Sequence, residues 1–145
     1  MLNIRKIRPA DLASVMEIND RAFASQRPET YFQRLLRKYP EDFYVAEKDN
    51  EVVGYVLGHI KAEGLGWIKI IAVRHSHQGQ GVGGAMMEFI TDKLKAAGAQ
   101  SIGLHARTGN QKGASFYQDI GFQIIETLPQ YYSNGESAYR LEKKI

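Results

Sequence analysis

Four glycines fall within seven residues at Gln78-Gly79-Gln80-Gly81-Val82-Gly83-Gly84, after a β-like run from Trp67 to Arg74 and before a stretch of helical periodicity. Strand, glycine loop, then helix is the order that limits this chain most. Glycines in that position let the backbone approach a ligand closely and turn several N–H groups toward it, beside the positive end of the following helix. Taken alone, the run suits a tight turn as well as a phosphate site, so its neighbours have to discriminate.

Two kinds of phosphate loop fit poorly. A Walker loop requires Lys and then Ser or Thr after its last glycine, whereas Gly84 is followed by Ala85 and Met86. Gly79, Gly81 and Gly84 have the spacing of a dinucleotide loop, but such a site wants an acidic residue about 20 positions on. His105 and Ala106 stand there instead.

Hydrophobic spacing supplies the other elements. Leu2 to Ile7 reads as a strand, and Pro9-Ala10-Asp11 as a helix start with Asp11 near the cap. Leu12, Val15, Met16, Ala22 and Phe23 repeat at helical spacing, as do Tyr31, Phe32, Leu35, Leu36 and Tyr39 beyond Pro28. The period then shortens. Phe43 to Glu47, Val52 to Lys61 and Trp67 to Arg74 form an expected antiparallel meander, its first turn at Asp49-Asn50. After the glycine run, Met86, Met87, Ile90 and Leu94 mark a helix closed by Gly98. A strand from Ser101 to Ala106, a short helix from Lys112 to Ile120, and strands Phe122 to Glu126 and Ser137 to Glu142 complete the chain. The expectation is an α/β fold in one domain over residues 1–145, ordered strand, two helices, three strands, helix, strand, helix, two strands.

Composition removes several classes of chemistry. With no cysteine there can be no disulfide, thiolate metal site or cysteine nucleophile. A formal net charge of +3 suits a polyanionic ligand but is too small to demand nucleic acid. Arg5, Lys6 and Arg8, like Arg34, Arg37 and Lys38, read as solvated faces. His75 and His77 lack a third ligand nearby, so no metal is expected. No signal sequence or membrane span is visible, and a cytoplasmic location is expected by default.

A further pattern in the glycine run, Gln-x-x-Gly-x-Gly over Gln78 to Gly83, resembles the pyrophosphate loop of the GNAT acetyltransferase superfamily. Ile71-Ala72-Val73 resembles the strand end whose backbone, in that superfamily, pairs with the pantetheine arm. Asn110-Gln111-Lys112-Gly113-Ala114-Ser115-Phe116-Tyr117, followed by Gly121-Phe122, is similar to a second signature of the same group. The tail, from Gly121 through Tyr131-Tyr132 to Tyr139, resembles protein N-terminal α-amino acetyltransferases, including the ribosomal-protein group. The resemblance implies a GNAT-like mixed, mainly antiparallel central sheet flanked by helices. It implies acetyl-CoA as co-substrate, held by Ile71, Ala72, Val73, the loop Gln78 to Gly84, Asn110 and Tyr117. It also implies that the strand from Trp67 splays from its neighbour to leave a wedge for the thioester.

The chemistry sets its own requirements. An amine attacks a thioester only when neutral, and an α-amino group has a pKa near ~8 and lysine near ~10.4, so a base or proton wire is needed near pH 7. Attack creates an oxyanion that fixed backbone N–H groups can stabilise, and the leaving thiolate wants a proton donor. By resemblance, Tyr117 is that acid and His105 the base. From the residues alone, the alternatives that stay open are a core tyrosine for Tyr117, a helix cap for Asn110 and a structural histidine for His105.

Resemblance places acceptor choice in Phe23-Ala24-Ser25-Gln26-Arg27-Pro28, with Phe23 and Arg27 as contacts, and around Tyr131, Tyr132 and Tyr139. Ala24 and Ser25 replace a proline and an apolar residue found in some relatives, which leaves a smaller or more polar pocket; Trp67 replaces a tyrosine. The expected acceptor is a protein or peptide N-terminus. A small-molecule amine, or an acetyl-CoA-binding module acting through a partner, are the alternatives. Monomer and homodimer both stay open.

Overall fold

The computed structural model describes residues 1–23 and 27–145. Its strands are β1 (Leu2–Lys6), β2 (Phe43–Lys48), β3 (Glu51–Ala62), β4 (Leu65–Val73), β5 (Ser101–Arg107), β6 (Gln123–Leu128) and β7 (Ala138–Lys144). Its helices are α1 (Leu12–Ala22), α2 (Glu29–Lys38), α3 (Val82–Ala96) and α4 (Gln111–Asp119). The element order is the expected one, and the departures lie at ends. Asp11 does not cap α1 with its side chain: its carboxylate accepts from the Arg8 N–H at 2.7 Å and pairs with Arg5 at 2.8 Å, so a 3₁₀ turn over Pro9–Asp11 precedes the helix. The start of α2 lies two residues before Tyr31, with Pro28 as N-cap and Glu29 in its first turn, where acidic charge suits the helix dipole. A second 3₁₀ turn, His75–His77, carries the chain from β4 into the glycine loop.

Among the described residues, seven strands form one sheet in the order β1-β2-β3-β4-β5-β7-β6. All neighbours are antiparallel except β4 and β5, which run parallel. The β2–β3 turn is at Asp49 and Asn50, both with positive φ (52° and 63°), the geometry that two-residue hairpins favour.

Helices cover the sheet unequally. On one face Met86, Ile90 and Leu94 of α3 pack on Val56, Ile68, Ile102 and Leu104. The helix lies close because a Cβ at Gly58 would come within 2.7 Å of Ile90. On the other face Val15 and Ile18 of α1 and Phe32 and Leu35 of α2 pack on Val45, Tyr55 and Leu57. That second core reaches Ile70 and Ala72 on β4 and stops there, which leaves the β5, β7 and β6 half of the face without helical cover among the described residues.

The central parallel pair is short. It joins Leu65 to Ser101, Gly66 to Ile102 and Trp67 to Gly103, and then ends. At this level the β3–β4 register slips: Leu57 faces Ile70 while Gly58 faces Ile68, making Lys69 the extra residue of a bulge that bends β4 away. Beyond Trp67 the two strands part. The opening points toward the glycine loop, which follows β4 after the His75–His77 turn.

Candidate active site

Between the parted strands lies a cavity of about 380 Å³. Ile68 to Ile71 of β4 form one wall and Leu104 to Arg107 of β5 the other, with Asn110 and Tyr117 from the α4 region between them. Phe23, Arg27 and Tyr31 close it from the helical side, and Tyr131 and Tyr132 from the β6–β7 connection. Beyond Trp67, the backbone groups of β4 that point toward β5 have no strand partner, so hydrogen-bonding capacity is left for a ligand laid along this edge.

Beside the cavity, the glycine loop becomes the start of α3. Gly81 is its N-cap at φ +85°, a conformation that side-chain-bearing residues rarely adopt, and its carbonyl accepts from Ala85 N–H at 3.0 Å. Among the described residues the N–H groups of Val82, Gly83 and Gly84 have no backbone acceptor, as expected for a first helical turn. A Cβ placed at Gly79, Gly81 or Gly84 would meet nothing within 4 Å, so the cradle opens outward with its donors free. Gln78 braces the loop: its amide donates to the Val73 carbonyl at 3.3 Å and accepts from Lys112 at 3.4 Å. Gln80 reaches the Ser76 carbonyl at 3.5 Å. Open donors at a helix N-terminus, next to an unpaired strand edge, fit a pyrophosphate-bearing thioester. Of the β4 end, Ile71 lines the cavity, whereas the side chains of Ala72 and Val73 turn into the two cores and leave their backbone for contact.

Exchange of Gly81 for Val is expected to weaken acetyl-CoA binding about tenfold or more, because it strains the one backbone conformation that aims the loop's donors. Calorimetry checks this, with Gly83→Ala as a milder companion whose Cβ would rest 3.4 Å from Phe116. Unchanged affinity in both folded variants would remove the loop from the cofactor site.

Asn110 is a helix cap as well as a cavity residue. Its Oδ1 accepts from the Gly113 N–H at 3.0 Å. Tyr117 projects from α4 between Phe116 (5.4 Å between ring centres) and Phe122 (5.9 Å). Burial, with a smaller contribution from Tyr132, pushes its hydroxyl up to about 12, and among the described residues that hydroxyl makes no hydrogen bond. The proton therefore stays on across the neutral range, leaving an O–H that can offer a hydrogen bond into the cavity.

His105 stands on β5 with Trp67 at 4.7 Å on one side and Tyr131 at 4.7 Å on the other. Trp67 can lie there because Gly103 has no side chain: a Cβ would be 2.7 Å from the indole. Burial holds His105 below its ordinary value of 6.5, helped by the positive charges of Lys61 and Arg140 and opposed by Glu126. At neutral pH the imidazole is thus uncharged and able to accept a proton.

Tyr131 and Tyr132 meet edge to face at 5.0 Å, and the Arg107 guanidinium lies 5.0 Å from the Tyr132 ring centre. Glu136 pins this hairpin, accepting from the Gly109 N–H at 3.1 Å and pairing with Arg107 at 3.7 Å. Tyr139 departs from expectation and is not among the cavity's lining residues. It faces Ala106 in the ladder, one step from the His105–Arg140 pair, and strand alternation turns it to the α3 side, against that core. Phe23 caps the end of α1 in extended conformation, and Arg27 stacks over Phe23 (5.5 Å) and Tyr31 (4.9 Å). The expectation about Ala24 and Ser25 falls outside the described residues. Tyr31, Lys69, Arg107 and Glu136 escaped the sequence reading. Of these only Arg107 carried a signal, being two residues from His105 on the same strand and hence on its side of the sheet.

Comparison with known proteins agrees with this geometry. Residues 12–122 match the acetyltransferase (GNAT) family. The chain is 36% identical over 142 residues to an uncharacterized N-acetyltransferase of Methanocaldococcus jannaschii, covering 97% of this chain and 90% of that protein. It is 30% identical over 148 residues to an N-alpha-acetyltransferase of Sulfurisphaera tokodaii, covering 94% and 89%. Among solved structures, Ard1 from Thermoplasma volcanium superposes with a TM-score of 0.94 at 29% identity, over 99% of this chain and 97% of that one. With a glycine cradle at a helix N-terminus, a wedge between parted strands and a family match across most of its length, the chain belongs to the acetyltransferase (GNAT) family and is an acetyl-CoA-dependent N-acetyltransferase.

Proposed function

We propose that the acceptor is the α-amino group of a protein or peptide N-terminus, acetylated by direct attack within one domain over residues 1–145. The observation that carries this reading is the shape of the wedge. It is open along β4 for a thioester, and its far side is lined by the aromatic rings of Tyr31, Tyr131 and Tyr132, against which an extended chain end can pack. The S. tokodaii relative's name, N-alpha-acetyltransferase, points the same way.

In this reading the backbone of Ile71, Ala72 and Val73, the loop Gln78 to Gly84, Asn110 and Tyr117 hold acetyl-CoA. Bound there, it supplies an acetyl group activated as a thioester, so that a nitrogen–carbon bond forms as the carbon–sulfur bond breaks. His105 takes the proton released by the amine, directly or through water. Backbone N–H groups of β4 near its bulge face the carbonyl oxygen as negative charge develops there. Tyr117 directs its O–H at the departing sulfur. Phe23, Arg27, Tyr131 and Tyr132 surround the incoming chain end. Tyr139 acts from behind, as packing for β7. No helix among the described residues is long and apolar enough to cross a membrane, and we place the reaction in the cytoplasm.

The reading is tested by supplying acetyl-CoA with short peptides, with the same peptides blocked at the N-terminus, and with polyamines, and by following thiol release. Turnover confined to free peptide N-termini is the expected result. Turnover of polyamines alone would make this a small-molecule enzyme, and tight CoA binding with no release for any amine would make it a binding module.

Tyr132→Ala is expected to raise the acceptor KM severalfold and leave the acetyl-CoA KM nearly unchanged, since it removes contact remote from the thioester. Steady-state kinetics with both substrates varied decides this; equal damage to both constants would make Tyr132 structural.

A further inference from the structure

The acceptor mouth carries an unbalanced charge. The substrate is an amine, which reaches the enzyme mostly as a cation, yet no Asp or Glu is among the cavity's described lining residues. Its cations are conspicuous by contrast. Lys69, on the bulge of β4, and Arg27, on the helical wall, line it, while Lys61 lies outside the lining but sits 3.8 Å from the ring centre of the lining Trp67 and bears on His105 through its charge. None of these three takes part in an ion pair among the described residues, whereas Arg107 is matched by Glu136, and Arg140 by Glu126 and Glu142.

The glycine loop does not account for these charges. It follows Val73, whereas Lys61 lies over Trp67, six residues back along β4, roughly 20 Å at the strand rise, and Lys69 stands four residues back, roughly 13 Å. The positive field therefore belongs to the acceptor's end of the wedge. It repels polyamines and basic peptides and favours the neutral form of the attacking amine, and among the described residues it leaves three cations without a carboxylate partner.

Resting on the N-terminal reading above, we propose that the preferred acceptor is an acidic N-terminus, one with a Glu or Asp side chain among its first two residues, and that Arg27, Lys61 and Lys69 select it. The carboxylate supplies the negative charge that the mouth lacks. The α-amine beside it goes forward to His105.

Paired peptides test this with one chemical change each: Glu against Gln at position one, and Glu against Gln at position two, on an otherwise identical sequence. The expected result is a kcat/KM about tenfold higher for Glu in at least one pair, since a few partly exposed charge contacts act together. That preference should shrink as salt rises from ~20 mM to ~300 mM. It should also fall in Lys61→Gln, Lys69→Gln and Arg27→Gln, each confirmed as folded by its melting curve. The ratio of Glu to Gln turnover is the readout, because a merely structural defect lowers both peptides together. Gln peptides acetylated as well as Glu peptides, or a preference untouched by salt and by all three substitutions, would overturn the proposal while leaving N-terminal acetylation intact. If no peptide is acetylated and free glutamate or another small amine is, the N-terminal reading itself fails and the proposal with it.

Discussion

Tyr117→Phe is expected to lower turnover by roughly 10² to 10⁴, the range associated with a lost proton donor, while acetyl-CoA still binds. The substitution keeps the ring that packs between Phe116 and Phe122. It leaves no orphaned partner, because the hydroxyl makes no hydrogen bond among the described residues. The hydroxyl's elevation to about 12 refines its role. A thiol has a pKa near ~8.5, so in the proposed reaction complete proton transfer from Tyr117 to the thiolate is uphill, and the contribution expected of it is a hydrogen bond that strengthens as charge gathers on sulfur. Single-turnover kinetics with calorimetric CoA affinity gives both quantities. Full turnover in the Phe variant would leave the leaving group to water and reduce Tyr117 to packing.

His105→Ala is expected to cost about 10² or more in kcat/KM and to change the shape of the pH profile. A base works deprotonated, so activity rises as pH climbs through its pKa and is lost as pH falls below it. Since burial and the nearby Lys61 and Arg140 lower that pKa, the enzyme's acidic limb belongs below 6.5, and it should vanish in His105→Ala. The acceptor amine contributes a limb of its own near ~8. Acceptors of different amine pKa separate the two: a limb that moves with the acceptor is the substrate's, and a limb that stays fixed and disappears with His105 is the enzyme's. Partial rescue by a small amine buffer would strengthen the assignment. Full turnover with an unaltered profile would pass the proton to a water chain ending on backbone carbonyls.

The sequence by itself determined the element order and the loop. Periodicities of 3.6 and 2 carry local information, so Phe32 and Leu35 read as a buried helix face and Asp49-Asn50 as a hairpin turn without any tertiary contact. The run from Gln78 to Gly84 is legible for the same reason, since the positive φ at Gly79 and Gly81 is a conformation that glycine adopts without steric cost. What a residue faces across the sheet is another matter. Tyr139 looked like its neighbours Tyr131 and Tyr132, and only the ladder register, with Tyr139 opposite Ala106, turns it to the other side. The bulge at Lys69 is equally hidden, because it arises where β3 and β4 are paired out of step. That bulge separates β4 from β5, and the separation makes the cavity. The unpaired cations at its mouth were likewise invisible, since whether Lys61 or Lys69 has a carboxylate nearby depends on residues far away in the chain. Local propensity wrote the parts; strand register decided which of them line the cavity, and long-range placement decided which charges there have a carboxylate beside them.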